Sequence, residues 1–172
     1  VAVNELIQNP AEYTGAYVLV AMFLYAIELY GDFTGGIDIT IGIAQVFGIK
    51  LVENFERPFF SKNTAEYWRR WHITMGTWFK DYIFYPISVC QPMLKLSKVS
   101  REKLGQALGK RIPVYLSTSI VWFVTGLWHG ASWNFIVWGM LNCLVLIVSQ
   151  EFEPFYAWFH RKFPKVGRTF WY

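Results

Sequence analysis

Long apolar stretches broken by short polar and basic clusters set the plan of this chain. From Ala16 to Leu29 the only charge is Glu28, and from Ile112 to Val148 there is no Lys, Arg, Asp or Glu. A membrane-crossing helix takes about 20 mostly apolar residues. The second stretch (112–148) therefore predicts two close-packed spans joined by a turn near residues 128–132, and the first predicts a membrane helix over residues 14–30 that ends near Gly31. A small-residue corner, Asp32-Phe33-Thr34-Gly35-Gly36, then leads to a short helix over residues 37–48. Residues 54–58 break helix, because Pro58 restricts the residue before it. Asn63 and Glu66 stand at capping-box spacing and open a new helix. Along residues 64–85, Trp68, Trp71, His72, Met75, Phe79 and Tyr82 recur at steps of three and four, whereas Arg69, Arg70 and Lys80 fall largely elsewhere. That period predicts an amphipathic helix, ended by Pro86, with an aromatic face and a basic face. Such a helix suits the headgroup zone or a shallow re-entrant segment. The expected fold class is all-α: a polytopic transmembrane protein with interfacial or re-entrant amphipathic helices.

Composition strengthens the membrane reading. Of 172 residues, 54% are hydrophobic, 20% aromatic and only 16% charged, against about 25% charged in an ordinary soluble domain. The net charge of +4 matters less than its placement. Lys95, Lys98, Arg101, Lys103, Lys110 and Arg111 crowd one linker, and Arg161, Lys162, Lys165 and Arg168 follow the last apolar run. Short Lys- and Arg-rich loops stay in the cytoplasm, so both are expected inside, with the hairpin between them pointing outward. The same charges suit contact with anionic lipid or a docking partner. They are juxtamembrane and accompany no recognition motif, so no nucleic-acid partner is expected. The chain opens on Val1 with no signal-peptide pattern, and we expect it to be a piece of a longer protein with further helices upstream. Cys90 and Cys143 form no C-x-x-C pair and no H-E-x-x-H is present, so no metal site is expected.

Candidate chemistry centres on two histidines, His72 in Trp68-Arg69-Arg70-Trp71-His72 and His129 in Gly126-Leu127-Trp128-His129-Gly130. A titratable imidazole in a span that otherwise excludes charge is costly to keep, which makes it a functional candidate. The plainer reading of His72 is a hydrogen bond from an interfacial helix to a backbone carbonyl. For Arg69 and Arg70 it is lipid phosphate or an intrahelical pair with Glu66. His129 lies between Gly126 and Gly130, at a spacing that admits a neighbouring helix and is expected to bury what stands between. Trp122, Trp128, Trp133 and Trp138 are expected to surround it, and a neutral imidazole there is the state a general base needs. Asp38 reads as a charge at a helix start. Asp32 precedes a Gly pair able to bend the backbone around a ligand, which makes it a second acidic candidate.

The segments 32–39 (Asp-Phe-Thr-Gly-Gly-Ile-Asp-Ile), 53–59 (Glu-Asn-Phe-Glu-Arg-Pro-Phe), 66–73 (Glu-Tyr-Trp-Arg-Arg-Trp-His-Ile), 81–86 (Asp-Tyr-Ile-Phe-Tyr-Pro) and 127–133 (Leu-Trp-His-Gly-Ala-Ser-Trp), in this order, resemble the membrane-bound O-acyltransferase family. Within it the chain is similar to the bacterial branch of alginate O-acetylation and teichoic-acid D-alanyl transfer proteins. The resemblance implies that residues 1–172 are the C-terminal part of one multi-pass domain of the bacterial cytoplasmic membrane, with a tunnel joining a cytoplasmic donor to an outside acceptor. The family's invariant histidine matches His129, and its second, motif histidine matches His72. Arg69, Arg70, Asp32, Asp38 and Trp128 are expected as substrate-binding or supporting residues. One departure is visible: Ser88-Val89-Cys90-Gln91-Pro92 follows Tyr85-Pro86-Ile87 where relatives usually carry Gly-Gly and a basic residue.

The activity so implied is transfer of an acyl group, acetyl before D-alanyl, from a thioester donor to a hydroxyl of an exported polysaccharide. Acetyl-CoA or an acyl-carrier protein is the donor expected as substrate, with no bound cofactor. The expected partners are that carrier, an extracytoplasmic acyltransferase or polysaccharide acceptor, and membrane lipid. Two other classes use the same histidines: a haem-binding module, which would show a Soret band, and a transporter using them as a proton relay, which would move a substrate without modifying it.

Overall fold

A computed structural model of the protein describes residues 12–163 together with Glu5 and Gln8. Every helix or strand assigned among them is a helix. The chain divides into two compact units, one up to Phe55 and one from Glu56 onward.

The first unit is dominated by α1 (Ala16–Val46), 31 residues long and so roughly 46 Å from end to end. It is long and apolar enough to cross a membrane. The expected corner at residues 32–36 does not form, and the two expected helices, 14–30 and 37–48, are one. Added β-carbons at Gly31, Gly35 and Gly36 would meet nothing within 4 Å, so these glycines serve no tight turn. Thr34 Oγ1 donates to the Tyr30 carbonyl at 2.6 Å and Thr40 Oγ1 to the Gly36 carbonyl at 2.8 Å, so both hydroxyls are satisfied within the helix. Asp38 consequently sits well inside a helix, where it meets no helix-start dipole. The end comes at Gly48, whose φ of 74° is the left-handed conformation that glycine adopts readily after a helix. Phe55 then packs edge-on against Tyr30 and Phe33, at ring separations of 5.8 and 5.1 Å.

The second unit opens with a 3₁₀ turn (Pro58–Phe60), followed by α2 (Thr64–Arg70). The cap of α2 is as expected: Asn63 Oδ1 accepts the Glu66 N–H at 2.8 Å, and the Glu66 carboxylate reaches back to accept the Lys62 N–H at 2.9 Å. The single helix expected over 64–85 is broken. Trp71 is extended and His72 left-handed, and α3 (Ile73–Phe79) starts afresh. A π-helical turn (Lys80–Phe84) and α4 (Tyr85–Ser88) follow. Pro86 does not stop the helix, since it lies in the first turn of α4, where a missing N–H is tolerated. The basic linker is itself helical, α5 (Gln91–Gly109), interrupted at Gly105 with φ 80°.

A hairpin of α6 (Arg111–His129) and α7 (Trp133–Glu151) forms the centre of this unit. The two helices run antiparallel. At the base, Arg111 and Tyr115 both engage the Glu151 carboxylate; midway, Ser119 Oγ meets Cys143 Sγ at 3.5 Å. Nearer the tip, an added β-carbon on Gly126 would lie 2.6 Å from the Phe135 carbonyl, and one on Gly139 2.5 Å from that of Trp122. Small residues thus set the helix separation. Of the two expected spans, α7 has the length and composition to cross a membrane; α6 falls short because Ser117, Ser119, Thr125 and His129 dilute its apolar content. Trp122, Cys143, Phe79 and Met93 are among the buried apolar residues of this unit. Trp68 joins Trp122 and Trp138 at ring separations of 4.9 and 5.9 Å, so α2 seats on the hairpin through tryptophans. The final helix is α8 (Glu153–Lys162).

Candidate functional site

His129 is the last residue of α6, and Gly130 caps the helix. His72 precedes α3 with φ 47° and ψ 55°, a conformation that costs a residue with a β-carbon about 1–2 kcal/mol. Non-glycine strain of this kind persists where surrounding structure enforces it, often at functional positions. The two histidines, 57 positions apart in sequence, meet around one ring. Trp128 lies 4.9 Å from His129 and 6.1 Å from His72, centroid to centroid, and Phe79 approaches the same indole edge-on at 6.5 Å. His129 is further held by Trp138 at 4.8 Å and by stacking on Phe135 at 6.4 Å.

This arrangement bears out the tryptophan setting in part. Trp128 and Trp138 contact His129, whereas Trp133 is 79% exposed and Trp122 packs on Trp68 and Trp138 instead. Phe135 is an addition. It folds back across Gly130, where an added β-carbon would meet its ring, so the glycine after His129 is the signal that something lies close. The expected burial of His129 does not hold. Gly126 is buried against α7, but residues 127–129, at the open end of the hairpin, are exposed. His72 is half-buried. Burial, and secondarily the proximity of His129, push its imidazole below the usual histidine range, so it rests neutral at physiological pH.

Arg69 and Arg70 separate sharply. Arg70 pairs with Glu66 at 2.6 Å and donates to the Glu56 carbonyl at 3.4 Å, while the Glu56 N–H donates to the Arg70 carbonyl at 2.9 Å. It fastens α2 to the preceding strand of chain, as its plainer reading predicts. The Glu66 carboxyl is held below the ordinary range by the Lys62 N–H and by Arg70, against some opposing desolvation. Arg69 is exposed and lines two cavities on the other side of α2. Asp32 and Asp38 are exposed residues of α1 in the first unit. No cluster of three or more metal-ligating side chains occurs among the described residues.

A helical hairpin that presents one histidine at its tip and gathers a second beside it is one observation about class; the sequence comparisons supply the other. The chain belongs to the membrane-bound O-acyltransferase family, whose pattern matches residues 7–101, a stretch that contains His72 and ends before His129.

Individual relatives extend the match. The chain is 36% identical over 142 residues to a peptidoglycan O-acetyltransferase of Helicobacter pylori, covering 83% of this chain and 24% of that protein. A probable alginate O-acetylase of Azotobacter vinelandii is 36% identical over 126 residues, 73% of this chain and 22% of that one. A teichoic acid D-alanyltransferase of Bacillus subtilis is 29% identical over 143 residues, 81% of this chain and 34% of that one. The chain thus spans about a quarter to a third of the length of these relatives. A match covering 83% of the chain takes in both His72 and His129 wherever it begins.

Proposed function

We propose that this chain is the histidine-bearing part of a multi-pass O-acyltransferase of the bacterial cytoplasmic membrane. It moves an acyl group, acetyl before D-alanyl, from a thioester donor on the cytoplasmic side to a hydroxyl of an exported polysaccharide or of a relay partner. The observation that carries the reading is the convergence of His129 and His72 on the Trp128 ring, in a family of acyltransferases. The acetyl preference follows the relatives, since two named as acetyl-transferring proteins are 36% identical and the D-alanyl transferase 29%.

In the proposed reaction the acceptor hydroxyl oxygen attacks the thioester carbonyl carbon while His129 takes its proton. The carbon–sulfur bond breaks, the ester forms, and the proton passes from the imidazolium to the leaving thiolate. A donor of this kind is acetyl-CoA or an acyl-carrier protein, consumed as substrate with no resident cofactor. His72, neutral and beside the same indole, is placed to donate a hydrogen bond to the carbonyl oxygen as charge develops there. In the full-length protein a water-poor tunnel around these residues would protect the thioester from hydrolysis. The residues are compatible with direct transfer and with an acyl-enzyme.

The test is complementation of cells lacking the full-length protein with wild type or His129→Ala, with polymer-bound acetyl and D-alanyl esters measured separately. Loss of one ester, by at least about a hundredfold in rate, with the variant at normal abundance in the membrane supports the reading and names the acyl group. Unchanged levels of both esters would remove His129 from the chemistry.

A further inference from the structure

Away from the histidine cluster, α2 borders two adjoining cavities of opposite character. One, of about 480 Å³, is walled chiefly by Trp68, Met75, Phe79, Val121, Trp122 and Leu146. The other, of about 720 Å³, is walled by Lys62, Arg69, Ser149, Gln150, Tyr156 and His160 among others. Ala65 and Arg69 line both. Arg69 therefore stands at the boundary between an apolar and a polar compartment, and its guanidinium takes no part in the ion pair that occupies Arg70.

The surroundings fit a membrane surface. The polar cavity lies where the candidate span α7 gives way to α8, since Ser149 and Gln150 end the one and Tyr156 and His160 belong to the other. On α8, Phe155, Tyr156 and Trp158 are each about half exposed, and Lys162 covers the Trp158 ring at 5.1 Å. An exposed aromatic face fringed by basic residues is the composition of a helix lying at headgroup depth.

We propose that the paired cavities hold one phospholipid, its phosphate against Arg69, Lys62 and His160 and the start of a hydrocarbon tail among Trp68, Trp122 and Leu146. Glu153, the one acid on the polar wall, offsets part of the positive charge and is the natural neighbour of a headgroup ammonium. A free phosphate, or the phosphate of a thioester donor, shares the polar half of this chemistry. Neither leaves an occupant for the apolar half, because the arm that follows phosphate in such donors is rich in amides. Neither His72 nor His129 lines either cavity, although Phe79 borders both the apolar cavity and the Trp128 ring.

The experiment uses the full-length protein, purified in detergent, re-lipidated with phosphatidylethanolamine and phosphatidylglycerol, and analysed by native mass spectrometry for retained lipid. Wild type should keep one tightly bound phospholipid. Lys62→Gln should lower its retention by about fivefold, as for a removed cation near a charged surface, and His160→Ala, which removes an imidazole hydrogen-bond donor, should lower it as well. Arg161→Gln, on the same helix but lining neither cavity, should leave it unchanged. Leu146→Trp, which fills the apolar compartment, should release the lipid without altering any charge. Inorganic phosphate and glycerol phosphate should fail to displace it, whereas a soluble short-chain phospholipid should succeed. Equal retention by wild type, Lys62→Gln and Leu146→Trp overturns the proposal, as does displacement by inorganic phosphate alone. Because the readout is bound lipid, it is indifferent to whether His129 turns out to be catalytic.

Discussion

His72 illustrates how much a single backbone conformation can decide. Its left-handed φ of 47° turns the chain between α2 and α3 and so aims the imidazole at Trp128. Glycine adopts this conformation without penalty and a β-branched residue adopts it worst. His72→Val is therefore expected to be less stable than His72→Gly by about 1–2 kcal/mol, read as thermal unfolding of the full-length protein in detergent; equal stabilities would mean that the segment relaxes. Both variants should lose acyl transfer, since both lose the ring. A second expectation concerns acidity. Burial and His129 hold His72 below the ordinary histidine range, so the unfolded chain binds a proton that the folded chain resists. Stability should accordingly decline as pH falls from about 6.5 towards the lower folded value and level off below that. The decline should be smaller in His72→Gln, and an identical pH profile would show that His72 is not the group responsible. Sequence alone picked out this histidine from its Trp-Arg-Arg-Trp-His setting. Its backbone was hidden, because no Gly or Pro marks the break.

At the scale of elements, the lesson is that periodicity reports faces more reliably than ends. The aromatic face of residues 64–85 holds in part: Trp68 and Phe79 turn inward while Tyr82 is exposed, and three short segments and a π turn stand where one helix was expected. In α1 the opposite error arises, because Gly35 and Gly36 suggest a corner where apolar residues on both sides sustain a helix. The hairpin was legible from its charge-free length, and Gly126 from its small-residue spacing. Gly139 escaped notice, although it lies four residues before Cys143 on the same face, and both are buried. Its replacement is the sharpest test of this packing. A β-carbon on Gly139 would fall 2.5 Å from the Trp122 carbonyl and 3.3 Å from Gly126 Cα, atoms of backbone that yield only if the helices separate. Gly139→Ala should cost about 1–3 kcal/mol and disturb the Trp122–Trp138 contact, seen as a shift in tryptophan fluorescence. A wild-type melting temperature in Gly139→Ala would argue that the hairpin is looser than drawn.

On the scale of the whole molecule, composition foretold the environment and the long apolar runs the helical class, while no change of composition marks Phe55, where the first compact unit ends. The large apolar side chains left outward-facing on α1 and α7 are numerous enough that water is an unfavourable surrounding for them, at about 25 cal/mol per Å² of apolar surface. The full-length protein should therefore stay with the membrane fraction through an alkaline carbonate wash and leave it only in detergent. Release by carbonate would show that the apolar faces are covered by protein rather than by lipid. The hairpin adds a constraint of length. From Arg111, tied to Glu151 at its base, to His129 at its tip, α6 advances roughly 27 Å, little less than the thickness of a hydrocarbon layer. It acts as a gauge rod, with one end fixed by charge and the other carrying the imidazole. One added helical turn would carry His129 about 5.4 Å past Trp138 and Phe135 without touching a single residue of the cluster. The number of residues between clamp and tip is thus as much a part of the site as the histidine itself.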